Sequence, residues 1–309
     1  MTARKAVIDI GTNSIKLLVM EDMPGGAAVL RDRAEIARLG EGSAESGRLS
    51  EEAIARSIAV IKHMALEARS LGSDAVLAIA TQAVRGASNA GRFKKLVCRE
   101  CGCDLHVISG DEEAGLSFRA VLRALPKDAR EICAFDVGGG STEIVIGGMS
   151  GISYRRSVPI GALSLHDEFF RESGCAVPGE TLEAASDRVR MALGSEEASV
   201  PGSSTAAGVG GTITTLAAVA LSLESYDAAK VSGTELSIAE IGRQIGLFAS
   251  LSVPDRASGI KGLDPKRADI ILAGACIVRE LLLFARKGTL TVLDRGLRYG
   301  VMEKYFGIS

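Results

Sequence analysis

The chain has 309 residues, of which 47% are hydrophobic and 24% charged, with 36 glycines, no tryptophan and a formal net charge of −2. That length accommodates two domains of ordinary size, each with its own core, and the composition is that of a globular α/β protein. The charge excludes a general attraction to nucleic acid or to an anionic membrane surface, so a polyanionic ligand has to be held by local groups. The longest apolar stretches, 213–223 and 270–278, are too short and too interrupted by Thr, Ser or Gly to span a bilayer.

Residues 1–5 are too few for a signal peptide before the first strand begins, so a cytoplasmic protein with reduced cysteines is expected. Val7-Ile8-Asp9-Ile10-Gly11-Thr12-Asn13-Ser14-Ile15-Lys16-Leu17-Leu18-Val19 reads as a strand, an Asp-x-Gly turn and a second strand. Pro24-Gly25-Gly26 turns the chain into a third strand over 28–39, and Arg38-Leu39-Gly40-Glu41-Gly42 is a loop. A helix starts at the N-cap Ser50, with Glu51 and Glu52 in its first turn, and carries Ile54, Ile58, Ile61, Ala65 and Ala68 at helical spacing as far as Leu71-Gly72.

Residues 75–80 form an apolar strand of the kind buried in a parallel sheet. Ligands gather beyond the C-terminal ends of such strands, which makes Thr81 and Arg85 candidates for phosphate contact, with a surface ion pair as the alternative for Arg85. A helix over 92–101 and a strand over 104–108 lead to Ser109-Gly110-Asp111-Glu112-Glu113-Ala114, which caps a helix continuing through Phe118, Val121 and Leu122. Favourable interaction with the helix dipole accounts for three acids in that first turn, and leaves open that one of them points into a cleft.

Ile132-Cys133-Ala134-Phe135-Asp136-Val137-Gly138-Gly139-Gly140-Ser141-Thr142-Glu143-Ile144-Val145-Ile146 reads as two apolar strands around a turn of three glycines. Glycines leave backbone N–H groups uncovered, Ser141 and Thr142 add hydroxyls, and the flanking Asp136 and Glu143 look like half of a magnesium site. The alternative is a glycine hairpin with solvated acids. The first hairpin aligns with this one 127 positions apart, Asp9 with Asp136, and the repeat suggests two similar domains facing each other across a cleft.

Further on, 152–159 reads as a strand and 161–170 and 179–193 as helices. Gly210-Gly211-Thr212 opens a helix at Ile213 and is a third phosphate-loop candidate, without the Lys of a Walker motif. Helices are expected over 237–251, 265–287 and 296–306, with a late strand at 290–293.

These stretches resemble the exopolyphosphatase and guanosine pentaphosphate phosphohydrolase (Ppx/GppA) family, within the actin, sugar kinase and Hsp70 ATPase superfold. The resemblance runs over nearly the whole chain, on Asp9 to Ser14, Arg38 to Gly42, Thr81 to Arg85, Ser109 to Ala114, Asp136 to Glu143, Gly210 to Thr212 and Gly296-Leu297-Arg298, in that order. It implies an α/β fold of two ribonuclease H-like domains, the first over 1–122 with the C-terminal helix of about 297–309, the second over 123–296.

It also implies that Glu113 is the general base that activates water. By the same resemblance Asp136 and Glu143, helped by Asp9, hold Mg²⁺ or Mn²⁺. Gly11, Thr12, Asn13, Ser14, Thr81, Arg85, Gly138, Gly139, Gly140, Ser141, Gly210, Gly211 and Thr212 would cradle the phosphates.

The implied activity is removal of terminal phosphate from inorganic polyphosphate, with guanosine pentaphosphate as the alternative substrate and a homodimer as the expected state. Longer family members carry a further C-terminal helical region with an HD-like domain, and this chain ends where that would begin, so short polyphosphate is the expected preference. Arg295 and Tyr299 depart from the family's usual loop around the final Gly-Leu-Arg. The superfold also hosts ATP-dependent small-molecule kinases, and a non-catalytic alarmone sensor is a third class. No sugar pocket is legible, and Glu113, Asp136 and Glu143 argue against the sensor.

Outside these motifs, Cys98, Cys101, Cys103 and His106 offer zinc-ligand types within nine residues, but strand alternation sends Cys103 and His106 to opposite faces. Cys133, Cys175 and Cys276 read as small core residues. His63, His106 and His166 are too scattered for a triad, and His166-Asp167 is a chance HD dipeptide. Lys94-Lys95, Arg155-Arg156 and Lys266-Arg267 read as solvated surface, with one of them lining an exit path for polyphosphate as the alternative.

Overall fold

The structure, a computed structural model, describes residues 3–126, 131–171, 176–194 and 200–308. The chain divides into two compact units, Met1–Ala120 with Leu297–Ser309, and Val121–Gly296. Cys175 lies outside the described residues. None of the described helices is long and apolar enough to cross a membrane.

In the first unit β1 (Arg4–Ile10), β2 (Ser14–Met23) and β3 (Gly26–Ile36) run antiparallel, and β4 (Ala75–Ala80) and β5 (Leu105–Val107) extend the sheet parallel to β1, in the order β3-β2-β1-β4-β5. Alternation along β1 divides its residues between two cores. Ala6, Ile8 and Ile10 join one cluster with Ile54, Ile61, Met64 and Ala68, and Val7 joins another with Leu116, Val301 and Met302. With both faces covered, β1 is buried continuously from Ala6 to Ile10, four of those five residues being apolar, the pattern of a buried strand. Short α1 (Ser43–Ser46) precedes α2 (Glu51–Ser70), whose cap is the Ser50 side chain accepting from the Ala53 N–H. Then come α3 (Gln82–Arg85), α4 (Ala90–Cys101) and α5 (Gly110–Ala124).

The second unit holds β6 (Ile132–Val137), β7 (Thr142–Gly148), β8 (Gly151–Val158), α6 (Ala162–Phe169), α7 (Gly179–Leu193), β9 (Thr205–Val209), α8 (Gly211–Ala220), α9 (Ala228–Val231), β10 (Glu235–Ser237), α10 (Ile238–Ser250), α11 (Val253–Gly259), α12 (Ile271–Phe284) and β11 (Thr289–Val292). Its strand order, β10-β11-β9-β6-β7-β8, is that of the first sheet with one antiparallel edge strand added. The sequence repeat is therefore a repeat of sheet topology as well as of one hairpin.

Residues 265–287 do not form the single helix that spacing predicts. Pro265–Arg267 is a 3₁₀ turn capped by Asp264, and α12 begins only at Ile271. Two competing bonds break the run. The Ala268 N–H closes onto the Pro265 carbonyl three residues back, and the Asp269 side chain takes the Ile270 N–H. The α11 helix was missed, although Ser252 accepting from the Asp255 N–H, with Pro254 just after the cap, is an ordinary start signal.

The last helix, α13 (Leu297–Phe306), returns to the first unit. Arg298 donates through Nε and Nη2 to the two oxygens of Asp32 on β3, at 2.9 Å each, and the Tyr299 hydroxyl adds a bond of 2.6 Å to Oδ2. The departure at Tyr299 is thus part of a tether between helix and sheet edge. Lys304 and Tyr305 both donate to Glu112 on α5, at 2.7 and 3.1 Å.

Gly300 packs directly on the Leu116 backbone of α5, where a side-chain carbon would overlap the carbonyl. Overpacking of this kind costs about 3 kcal/mol where backbone cannot yield. Gly300→Ala is therefore expected to lower the unfolding free energy by about that amount in urea denaturation, whereas Gly179→Ala, with nothing near its Cβ position, leaves it nearly unchanged.

Candidate active site

The two hairpin turns close in the same way. Gly11 N–H donates to the Ser14 carbonyl and Gly138 N–H to the Ser141 carbonyl, each at 3.0 Å. Two further turn carbonyls in each are tied back by neighbouring backbone. In the first unit the Thr12 oxygen accepts from Gly40 N–H and the Asn13 oxygen from Ala37 and Arg38 N–H. In the second, the Gly138 oxygen accepts from Ala162 N–H and the Gly139 oxygen from Leu163 and Ser164 N–H at the start of α6. A turn whose carbonyls are committed inward presents its N–H groups for an anion. Gly161 allows α6 to come so close, since a side-chain carbon there would lie 2.6 Å from the Gly139 oxygen. Thr12, Asn13, Ser14 and Ser141 are buried, and the Asn13 Oδ1 has no partner among the described residues.

The first hairpin lies beside the end of β4, where Thr81 N–H donates to the Ile10 carbonyl at 3.3 Å. Arg85, on the short helix that follows, turns to Glu113: Nη1 donates to Oε2 at 3.1 Å and to the Ile108 carbonyl at 2.8 Å, and Nη2 donates to the Gln82 side-chain oxygen at 2.8 Å. The three acids opening α5 have separate environments. Asp111 is exposed, and hydrogen bonds from Lys304 and then Tyr305 hold the Glu112 carboxyl below its ordinary pKa. Glu113 is 6% exposed and faces the Arg85 guanidinium. Of the three, only Glu113 belongs to the strand-end cluster.

In the second unit the register sets Asp136 directly opposite Glu143 across β6 and β7. Glu143 is 2% exposed and accepts from the Ser157 hydroxyl at 2.7 Å. The same register position in the first hairpin pairs Asp9 with Lys16, and the ammonium lies 3.8 Å from the Asp9 carboxylate. One copy therefore carries two like charges and the other an ion pair. Opposed carboxylates repel, and a hard divalent cation is the group that relieves them. The donor set fits Mg²⁺. Among the described residues no group of three His, Cys, Asp or Glu side chains is placed to hold a metal, so water and phosphate oxygens would fill the other positions, as Mg²⁺ commonly keeps them.

β9 runs parallel to β6, which brings the third glycine turn to this pair: a side-chain carbon at Gly210 would meet Asp136 Oδ1 at 3.0 Å. Gly211 is covered by the Arg267 guanidinium, which a side chain there would strike at 2.5–2.7 Å. Burial pushes Arg267 below its ordinary pKa, against the opposite pull of Asp264 and Tyr226. Thr212 is buried against Gly274 of α12.

The sequence profile of the Ppx/GppA phosphatase family matches residues 18–306. The chain belongs to that family. It is 34% identical over 291 residues to exopolyphosphatase 2 of Mycobacterium tuberculosis, covering 90% of this chain and 89% of that one. It is 33% identical over 300 residues to a bifunctional 3-dehydroquinate synthase/phosphatase of Fusobacterium nucleatum, covering 94% of this chain but 45% of that protein, so the chain spans less than half the length of that relative. The crystal structure of the Aquifex aeolicus Ppx/GppA family member superposes with a TM-score of 0.80 at 33% identity, over 98% of this chain and 97% of that one. The fold is thus the two-domain actin-like α/β architecture, and the family is one of phosphatases.

Within this Ppx/GppA chain, each unit gathers its candidates at the C-terminal ends of its central strands. Gly11 to Ser14, Thr81, Arg85 and Glu113 lie in the first unit, and Asp136, Gly138 to Ser141, Glu143 and Gly210 to Thr212 in the second. Asp9 has Lys16 opposite it. Arg267 and Arg156 are residues that reading as solvated surface misplaced: Arg156 is half-buried and donates to the Leu193 and Ala192 carbonyls, and the half-buried position of Arg267 over Gly211 follows from the 3₁₀ turn, which no local signal marks. Cys101 and Cys103 are buried, burial pushes the Cys101 thiol up to about 11, and His106 is exposed on β5.

Gly161→Ala is expected to push α6 off the second glycine turn, lowering the melting temperature by several degrees and weakening inorganic phosphate binding roughly tenfold or more, on the scale of one or more lost charge-assisted hydrogen bonds. Calorimetry and titration with phosphate check both.

Proposed function

We propose that this Ppx/GppA phosphatase is an exopolyphosphatase that removes terminal phosphate from inorganic polyphosphate, with short chains preferred. The observation that carries the reading is the buried Glu113 paired with Arg85 at a strand end, a placement that suits a base beside an anion-binding cation. The tied-back glycine turns, the opposed Asp136 and Glu143, and the likeness to exopolyphosphatase 2 support it.

In this mechanism Glu113 takes a proton from water while the water oxygen attacks the terminal phosphorus in line. The bond from that phosphorus to the bridging oxygen breaks, and the shortened chain leaves with the electron pair. Backbone N–H groups of the glycine turns, with Arg85 and Arg267, bind and orient the phosphate oxygens in a loose transition state, where positioning and electrostatics supply most of the acceleration. Asp136 and Glu143 are the residues that would hold Mg²⁺ or Mn²⁺, whose charge offsets that of the phosphates.

The test is phosphate release, with Mg²⁺, from tripolyphosphate, from long polyphosphate and from guanosine pentaphosphate. Tripolyphosphate is expected to be the best substrate; faster turnover of polymers of hundreds of units removes the short-chain preference, and faster turnover of guanosine pentaphosphate makes the chain a pentaphosphate phosphohydrolase. Glu113→Gln is expected to lower kcat by about 10³, the scale of a lost general base, while tripolyphosphate still binds. Unchanged kcat would remove Glu113 from the role. Glu143→Gln is expected to raise the Mg²⁺ concentration needed for half-maximal rate by roughly tenfold or more, and chelation of the metal to stop phosphate release from the native chain.

A further inference from the structure

Arg85 carries two duties in the proposed reaction, holding Glu113 and meeting phosphate, and a flexible side chain performs both only if its planar head is fixed. Two of its nitrogens are occupied. Nη1 is shared between the Ile108 carbonyl and Glu113, and Nη2 is held by the Gln82 oxygen at 2.8 Å. Gln82 and Arg85 stand three residues apart on α3, the spacing that places side chains on one helix face. With Nη1 alone anchored, the guanidinium can swing about that anchor. A second anchor at Nη2 fixes the plane, and with it the direction of the N–H groups on the other edge.

We propose that Gln82 is a positioning residue of the reaction, whose side-chain oxygen locks the Arg85 guanidinium so that one edge holds Glu113 while the other meets the phosphate. The proposal rests on the reading of Glu113 and Arg85 given above. The chemistry of the side chain suits the task. An amide oxygen accepts the bond without adding charge, so Arg85 keeps its full attraction for an anion. A carboxylate at the same place would hold the same nitrogen and also repel the phosphate. Gln82 itself has no duty toward the reacting atoms; it acts through Arg85.

The experiment compares the native chain with Gln82→Met, which has similar length and no acceptor, and with Gln82→Glu, on tripolyphosphate with Mg²⁺. Loss of the Gln82 acceptor leaves the Nη1 bonds to Glu113 and the Ile108 carbonyl in place and loosens only the edge that meets phosphate in both ground and transition states, so the effect falls mainly on binding. Gln82→Met is expected to raise KM roughly tenfold, the scale of one hydrogen bond to a charged group, with kcat within about twofold. Gln82→Glu is expected to raise KM as well, through charge.

Nitrogen-15 NMR of the guanidinium groups, with Arg85 assigned by the Arg85→Lys spectrum, separates the two variants. Distinct Nη1 and Nη2 signals are expected in the native chain and in Gln82→Glu, merging into one in Gln82→Met as the group rotates. An unmoved KM with distinct Nη signals in Gln82→Met overturns the proposal, and so does a fall in kcat at constant KM with a lower melting temperature, the mark of a purely structural role. If the native chain releases no phosphate from any substrate the reading of the reaction fails, while the NMR comparison still decides whether Gln82 locks Arg85.

Discussion

The structure depends on a short backbone constraint: turns whose carbonyl oxygens are engaged before any ligand arrives. In both hairpins a glycine N–H closes onto a serine carbonyl three residues later, at the same distance. Two more carbonyls in each turn are held by unrelated pieces of chain, a loop after β3 in one unit and the start of α6 in the other. Different sequences thus solve one electrostatic problem. A peptide group that points its oxygen inward points its N–H outward, so the dipoles are oriented without later reorganisation. The close approach at Gly161 follows from that requirement, as does the small-residue character of the loop.

Charge is then distributed on top of equivalent backbones. The two hairpins share topology and register, and differ where it matters at one cross-strand position, Lys16 in one and Glu143 in the other. At that one position the first unit has an ion pair and the second a pair of opposed carboxylates, beside turns of the same backbone form. The chain's net charge of −2 says nothing of this, because the groups that count are a few buried side chains with low-dielectric neighbours. Arg85 and Arg267 act in the same local way, one bonded to a buried carboxylate and the other laid over a glycine turn.

The acids at the start of α5 show how tertiary packing gives identical local signals different uses. Asp111, Glu112 and Glu113 all satisfy the helix dipole. The C-terminal helix claims Glu112 through Lys304 and Tyr305, Asp111 lies exposed at the surface, and Arg85 faces Glu113.

What could be read from the amino-acid order was whatever depends on near neighbours along the chain. The apolar runs of β1, β2, β4, β6 and β7, the Ser50 cap and the repeated Asp-x-Gly turns are of that kind, and together with the family resemblance they pointed to the fold class and to most strand-end candidates. Residues brought together from distant segments needed the tertiary structure. Arg298 reaches Asp32 across 266 positions, Arg85 reaches Glu113 across 28, and Arg267 reaches Gly211 only because Asp269 and the 3₁₀ turn interrupt a helix that spacing alone would continue. Periodicity reports which face of an element is buried. It carries no information about which charged side chain from another element arrives there, and that pairing is set by packing.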